Sequence, residues 1–461
     1  MSSALTSVTS RRQFLKAGSG VAAAMALPSS AMAAVAEPEW RASDFRPNKL
    51  WQSLRREFIL PKDSCYMNIG TTGSIPRTVL DKLERNNRLV ARDPYAMGDK
   101  FGPFPHVTQM IADVAPGFGA EPHEIVLSRN TTDGICSIIG GLQFEAGDVV
   151  LTTHHEHIGL TSPLHVVSER YGVEVIELEI PVDTGANSVT EDQFVQVFAD
   201  AVALYGSRVR LLAFSHITYK TGTTLPAKRI CKEVAIPNQI PTLVDGAHGI
   251  GMLDLDFHDM DCDFYAGPGH KWQCGPGASG ILYVRDNAER LKQFWYDRPQ
   301  PLHIINSSMA AMNQPLNMQL QYVGNDNFPM KQALADVCKM WDQIGRDRIE
   351  QRVLELSARL KRGLAKAFPE AAIYSPLVTG LESGLTTINP FYDQADRDLI
   401  AQMNSELRER HGFTIRTVNF KLRADDAFDT HALRISTHLF HSEEEVDQLV
   451  KAMKRVYRQL A

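Results

Sequence analysis

Two residues 26 positions apart, Asp245 and Lys271, have the types and setting to do chemistry together. The apolar pair Leu243-Val244 leads into Asp245-Gly246-Ala247-His248, and Gly269-His270-Lys271-Trp272 follows in a Gly/Pro-rich stretch. An acid delivered to a strand end and a lysine in the next loop offer a carboxylate that keeps a ring nitrogen protonated and an amine that forms an imine. Those are the two groups an enzyme needs to hold pyridoxal phosphate. Taken singly, Lys271 reads as a solvated loop lysine and Asp245 as a helix cap. The company of Lys271 lifts it: His270, Trp272, Gly267, Gly269, Gly275, Gly277 and Gly280 let backbone approach a ligand closely.

Further candidates sit near predicted strand ends. Asn130-Thr131-Thr132-Asp133-Gly134 opens a helix, where free N–H groups and two hydroxyls make either a phosphate cradle or a plain cap. His154, His155 and His157 flank Glu156 without the i, i+4 spacing of helical metal ligands, which favours a ring stacked on a cofactor over a metal site. Arg434 in Leu433-Arg434-Ile435-Ser436 can grip a carboxylate bidentately, with Arg416 as its competitor; either also reads as half of a surface ion pair. Gly275-Pro276-Gly277-Ala278-Ser279-Gly280 matches a dinucleotide fingerprint in letters only, because an apolar strand follows it where a helix should.

The elements that must position these groups alternate. Short apolar strands are predicted at Glu124–Ser128, Val149–Thr153, Val173–Leu178, Arg210–Ser215, Pro241–Asp245 and Ser279–Arg285, separated by helix-length segments such as Glu191–Tyr205. The class is therefore α/β, a mostly parallel sheet flanked by helices, whose strand ends face the ligand crevice. Asn130, His157, Ser215 and Asp245 fall at or just after such ends. Residues 34–60 read as an extended arm and 287–330 as irregular. A long helix is predicted from Met330 to about Phe368, and a final helix opens on the capping box Ser442/Glu445. The domain reading is 1–33 signal, 34–69 arm, 70–310 large domain and 311–461 linker plus small α+β domain.

The N-terminus is a separate object. Arg11-Arg12-Gln13-Phe14-Leu15, a weakly apolar run to Leu27 and Ala31-Met32-Ala33 make a twin-arginine export signal, too short to span a bilayer. The alternative is a basic tail. Export predicts a periplasmic location, the twin-arginine translocase as a partner and no stable membrane anchor. That route carries folded proteins, which suits a chain that acquires its cofactor before leaving the cytoplasm. The 461 residues carry a net charge of −6, which argues against nucleic acid as a partner. Six cysteines match no zinc spacing and are sparse for a disulfide scaffold.

Together these motifs resemble the class V aminotransferase family of fold-type I pyridoxal phosphate enzymes, and within it the isopenicillin N epimerase-like branch. The resemblance runs from about residue 60 to the C-terminus. It rests on Tyr66-Met67-Asn68-Ile69-Gly70-Thr71-Thr72-Gly73, Asn130-Thr131-Thr132, Glu156-His157, Ser215-His216, Asp245-Gly246-Ala247-His248, His270-Lys271-Trp272 and Leu433-Arg434-Ile435-Ser436. It implies Lys271 as the Schiff-base lysine, Asp245 on the ring nitrogen, His248 beside the ring oxygen and His157 stacked on the ring. It places Thr131, Thr132 and His270 on the phosphate, with Asn130 and Ser215 in the cofactor set and Arg434 and Asn68 on the substrate side. It also implies a homodimer, with Gly324-Asn325-Asp326 resembling the segment that reaches the neighbour's site. Two departures stand out. Pro268 replaces a phosphate-binding serine of many relatives, and no cysteine follows Cys338, so the nucleophile of a persulfide-forming desulfurase is missing.

The leading expectation is aminotransferase-type chemistry on an amino acid or the amino-acid unit of a peptide natural product. The export signal adds a resemblance to periplasmic enzymes that tailor pyoverdine-type siderophores. Epimerisation and β-elimination are the alternatives, since all three diverge only after a bond at the α-carbon breaks. A non-catalytic binding protein that kept the fold is the reading from another class.

Overall fold

The computed structural model describes residues 49–185, 188–286 and 302–461. The export signal lies outside them. Apolar runs bounded by turn residues become strands in this order: β1 (Cys65–Tyr66), β2 (Ile125–Ser128), β3 (Val149–Thr153), β4 (Glu174–Leu178), β5 (Val209–Ser215), β6 (Thr242–Asp245), β7 (Phe264–Pro268) and β8 (Gly280–Val284). The later strands are β9 (Ala372–Ile373), β10 (Leu385–Asn389), β11 (Phe413–Thr414), β12 (Arg416–Phe420) and β13 (Thr430–Ser436).

Strands β2 to β8 form one sheet in the order β2-β8-β7-β6-β5-β3-β4. Neighbours from β7 to β4 pair in parallel, and β8 alone is reversed, antiparallel to both β7 and β2. The other strands therefore end at one edge, where β6 ends in Asp245 and the loops leaving that edge carry Asn130, His157, Tyr219 and Lys271. Both sheet faces are covered because side chains alternate along a strand. Val149 and Leu151 of β3 join one core with Phe194, Phe198 and Phe214, while Val150 joins another with Ile135, Leu160 and Leu164. Each such side chain contributes about 1.5–3 kcal/mol by leaving water.

A second, antiparallel sheet has the order β12-β13-β10-β9. The helices Arg346–Ala367, Arg397–His411 and Glu443–Leu460 pack on it through Leu356, Leu360, Met403, Leu407, Leu433, Ile435, Leu449 and Met453. The capping box at Ser442 and Glu445 is formed as expected. Strand β1 pairs in parallel with β11, which ties the chain before Asn68 to this second layer.

Four sequence expectations change. The helix expected from Met330 to about Phe368 is two helices, Phe328–Ile344 and Arg346–Ala367, broken at Gly345, whose φ of 96° no helix accepts. The stretch taken as an extended arm contains the helix Leu50–Arg55, which buries Leu50 and Leu54. Within the stretch read as irregular, Leu316–Gln321 is helical; residues 287–301 lie outside the described part. The run just before Lys271, read as loop because of its Gly and Pro, contains strand β7.

Candidate active site

Asp245, Lys271, Arg434 and the Asn130–Thr132 turn line one cavity of about 670 Å³ at the strand-end edge. Asp245 closes β6 with 3% of its surface exposed, and its Oδ1 accepts the Ala247 N–H at 2.9 Å. Burial raises its pKa; the Ala247 N–H and the charge of Lys271 pull the other way. Behind it, buried Glu156 accepts from Thr153 Oγ1 at 2.6 Å, from the Ser215 N–H at 3.1 Å and from the Ser215 hydroxyl. Burial still pushes Glu156 up to about 7, against those donors. Both acids are buried, and Asp245 is the one at the cavity wall.

Lys271 follows β7, and its amine is desolvated enough to bring its pKa from 10.5 down to about 8, with Asp245 opposing the shift. A lysine must be neutral to attack a carbonyl, and this shift makes an appreciable neutral fraction available near pH 7.5. Cofactor uptake by the cofactor-free protein should therefore accelerate as pH rises, with a midpoint near 8. Stopped-flow reconstitution across pH measures it, and a midpoint near that of an ordinary lysine would contradict the assignment. Gly73 explains how the loop is clamped: its N–H donates to His270 O at 2.7 Å, and a Cβ there would stand 2.1 Å from Lys271 O. No residue larger than glycine fits.

The N-terminus of the helix Thr131–Ile139 opens on the cavity, with Asn130 Oδ1 capping the Asp133 N–H at 2.9 Å. That side-chain cap uses one of the orphan donors and leaves the first-turn N–H groups of Thr131 and Thr132, with their hydroxyls, as an anion cradle. His157 caps its own helix through Nδ1 and meets Tyr219 edge-on, with ring centroids 5.1 Å apart. Burial, then the charge of Lys271, lowers His157 to about 4, so it is a neutral ring at working pH. His248 lines the cavity and accepts the Trp272 indole N–H on Nδ1 at 3.1 Å. His270 lines it too, with Nδ1 buried and unpartnered.

At the mouth, Arg434 and Arg416 are directly opposite each other on β13 and β12. Both donate to one hydroxyl, Thr71 Oγ1, at 3.2 and 3.1 Å. Arg434 is only 1% exposed and also donates to Tyr219 O at 2.9 Å. Burial, then the like charge of Arg416, pulls its guanidinium below the ordinary value, yet it remains a cation. Like charges directly opposite cost stability. Two cations held together at the cavity make a site that can take an anion.

Two expected residues are placed differently. Ser215 is not among the cavity-lining residues; its hydroxyl is committed to Glu156, because β5 ends with that side chain turned towards β3. Asn68 stands one step back as well, accepting from Thr71 Oγ1 at 2.9 Å. His154 and His155 do not line the cavity; their rings meet tilted with centroids 4.0 Å apart, and His155 Nε2 lies 2.8 Å from Lys421 O. Among the described residues no group of three or more His, Cys, Asp or Glu comes together to hold a metal. Sequence reasoning missed Tyr219, and it named Thr71 and Glu156 only inside longer motifs, without a role. Tyr219 belongs to a Thr-rich loop whose carbonyls are held by Arg434, Thr387, Ser375 and Ser383 from the second layer, a convergence no local spacing announces.

The residues fit pyridoxal phosphate. An anion cradle, a carboxylate, a lysine and buried imidazole nitrogens without partners surround one cavity, and their chemistry matches the phosphate, ring nitrogen and aldehyde of that group.

The fold and the cavity define a fold-type I pyridoxal phosphate enzyme. Residues 65–449 match the family model for class-V aminotransferases, and the chain belongs to that family. Residues 8–28 match the twin-arginine translocation signal sequence, so the chain carries that export signal. No helix among the described residues is long and apolar enough to cross a membrane. The chain is 27% identical to isopenicillin N epimerase of Streptomyces clavuligerus over 87% of this chain and 97% of that protein. It is 28% identical to a cysteine desulfurase of Cronobacter sakazakii over 74% and 79% of the two chains. Its fold is similar to that of a C-DES variant solved with glycine covalently linked to its pyridoxal phosphate, with a TM-score of 0.71 and 22% identity over 87% and 98% of the chains.

Proposed function

We propose that this protein is a periplasmic, homodimeric amino-acid epimerase that uses pyridoxal phosphate. The cofactor is pyridoxal 5′-phosphate, which when bound supplies an electron sink for charge developing at the substrate α-carbon. In this reading Thr131, Thr132 and His270 hold the phosphate, Asp245 holds the ring nitrogen, His157 covers the ring and Lys271 moves the α-proton. Arg434 takes the substrate carboxylate. Ile305, Met309 and Met312, exposed before Gly324, give apolar surface of the kind a second copy covers.

The observation that carries the reaction type is the placement of two proton carriers on opposite sides of β6. Lys271 follows β7 and Tyr219 follows β5, the two neighbours of the strand that ends in Asp245. Inversion at a carbon needs a base on one face and an acid on the other. Similarity to an epimerase along 97% of that protein's length supports this over the aminotransferase chemistry expected from sequence. A desulfurase would need a thiolate nucleophile. Cys136 lines the cavity, but burial, then Asp133, raises its thiol above the ordinary value. The relatives above carry no siderophore assignment, so the substrate is left as an amino acid or the amino-acid unit of a small peptide.

Incubation of single enantiomers in deuterium oxide, with chiral separation and mass analysis, tests this. Deuterium at the α-carbon with approach to both enantiomers is expected. Stoichiometric keto acid, or pyruvate and ammonia, would overturn it. Tyr219→Phe should suppress inversion by roughly 10²–10⁴-fold while exchange with retention persists for one enantiomer. Equal loss of both would assign Tyr219 a structural part only.

A further inference from the structure

An indole N–H only donates. Trp272 Nε1 lies 3.1 Å from His248 Nδ1, so that ring nitrogen is the acceptor and the neutral imidazole carries its proton on Nε2. Burial, then repulsion by Lys271, lowers the pKa of His248 and keeps the ring neutral. His248 Nε2 is itself buried, has no hydrogen-bond partner among the described residues and belongs to a cavity-lining side chain. The protein has thus built a donor and left it unpaired at the cavity wall. A buried donor without an acceptor is costly, which points to an acceptor brought by the ligand.

We propose that Trp272 is a positioning residue: its indole N–H fixes His248 as the Nε2–H tautomer and orients that N–H to donate to the ring oxygen of bound pyridoxal phosphate. The inference rests on the cofactor reading above. The ring oxygen is the acceptor its surroundings select. On the pyridine ring the oxygen-bearing carbon lies between the nitrogen side, which Asp245 takes, and the carbon bearing the aldehyde, which Lys271 takes. His248 is three residues past Asp245, and Lys271 is the first charge that acts on it. Trp272 itself is fully buried and pinned edge-on to His438 at 5.5 Å. One loop therefore both presents the amine and sets the tautomer of its neighbour, a function phenylalanine cannot supply although it fills much of the same space.

Calorimetric titration of the cofactor-free, full-length protein with pyridoxal 5′-phosphate and with its 3-deoxy analogue separates a positioning role from a packing role. Trp272→Phe should weaken pyridoxal phosphate binding by roughly tenfold and leave 3-deoxy analogue binding unchanged. Trp341→Phe removes a buried indole N–H that donates to Gly251 O at 3.0 Å and should change neither. Equal weakening of both ligands by Trp272→Phe, or of neither, would overturn the proposal. Should that variant not fold, ¹⁵N-histidine spectra of the wild-type protein decide: Nε2-protonated His248 is expected, and Nδ1-protonated His248 overturns it. Wild-type protein that binds neither ligand would sink the cofactor reading instead.

Discussion

Lys271→Ala should lower turnover by at least about 10⁴-fold, because it removes both the amine that anchors the cofactor covalently and the base nearest the α-proton. The variant should fold. Burial brings the Lys271 pKa from 10.5 to about 8, so the folded state disfavours the ammonium form. A base whose folded pKa is depressed subtracts stability at low pH, and that cost disappears as pH rises above its unfolded value. Alanine at this position should therefore leave the thermal midpoint of the cofactor-free protein unchanged or raised at pH 7. Cofactor should still bind, reversibly, through the Asn130–Thr132 turn and Asp245. A small primary amine in the buffer should restore part of the α-proton exchange. Turnover within tenfold of wild type, read in the deuterium assay, would remove Lys271 from the chemistry.

Asp245→Asn should lower the rate of α-proton exchange by about 10²–10³-fold with little change in KM, the range seen when one preorganised electrostatic contact to a transition state is lost. Asparagine keeps an oxygen for the Ala247 N–H, now accepted at 2.9 Å, so the local backbone is preserved. What it loses is the charge. Burial raises the pKa of Asp245, while the Ala247 N–H and the charge of Lys271 favour its anion. The asparagine variant therefore presents a neutral dipole to a ring nitrogen that must hold a proton. A loss confined to KM would show that Asp245 serves only binding.

How much of this was legible before folding depends on how local each signal is. Asp245 and Lys271 were legible because each sits at or within three residues of a strand end and carries its own chemistry. The cap at Asn130 was legible for the same reason: capping is settled within four residues. Strand β7 was not, since Gly267 and Pro268 at its end read as loop until β6 and β8 bury it on both sides. The break at Gly345 hides inside a continuous helical pattern because only a positive φ betrays it. Arg416 and Arg434 looked like competitors for one role, yet register makes them neighbours on a shared hydroxyl. Ser215 had the right type and position but spends its hydroxyl on Glu156, a partner 59 residues away in sequence. Tyr219 depends on a loop held from the other layer, and nothing within its own segment signals that.

The most direct test of the central claim is borohydride reduction of the purified holoenzyme followed by peptide mapping. The account predicts a pyridoxyl group on Lys271 and on no other lysine. A pyridoxyl group on Lys331 or Lys361, the buried lysines among the described residues, or the absence of any adduct, would contradict it.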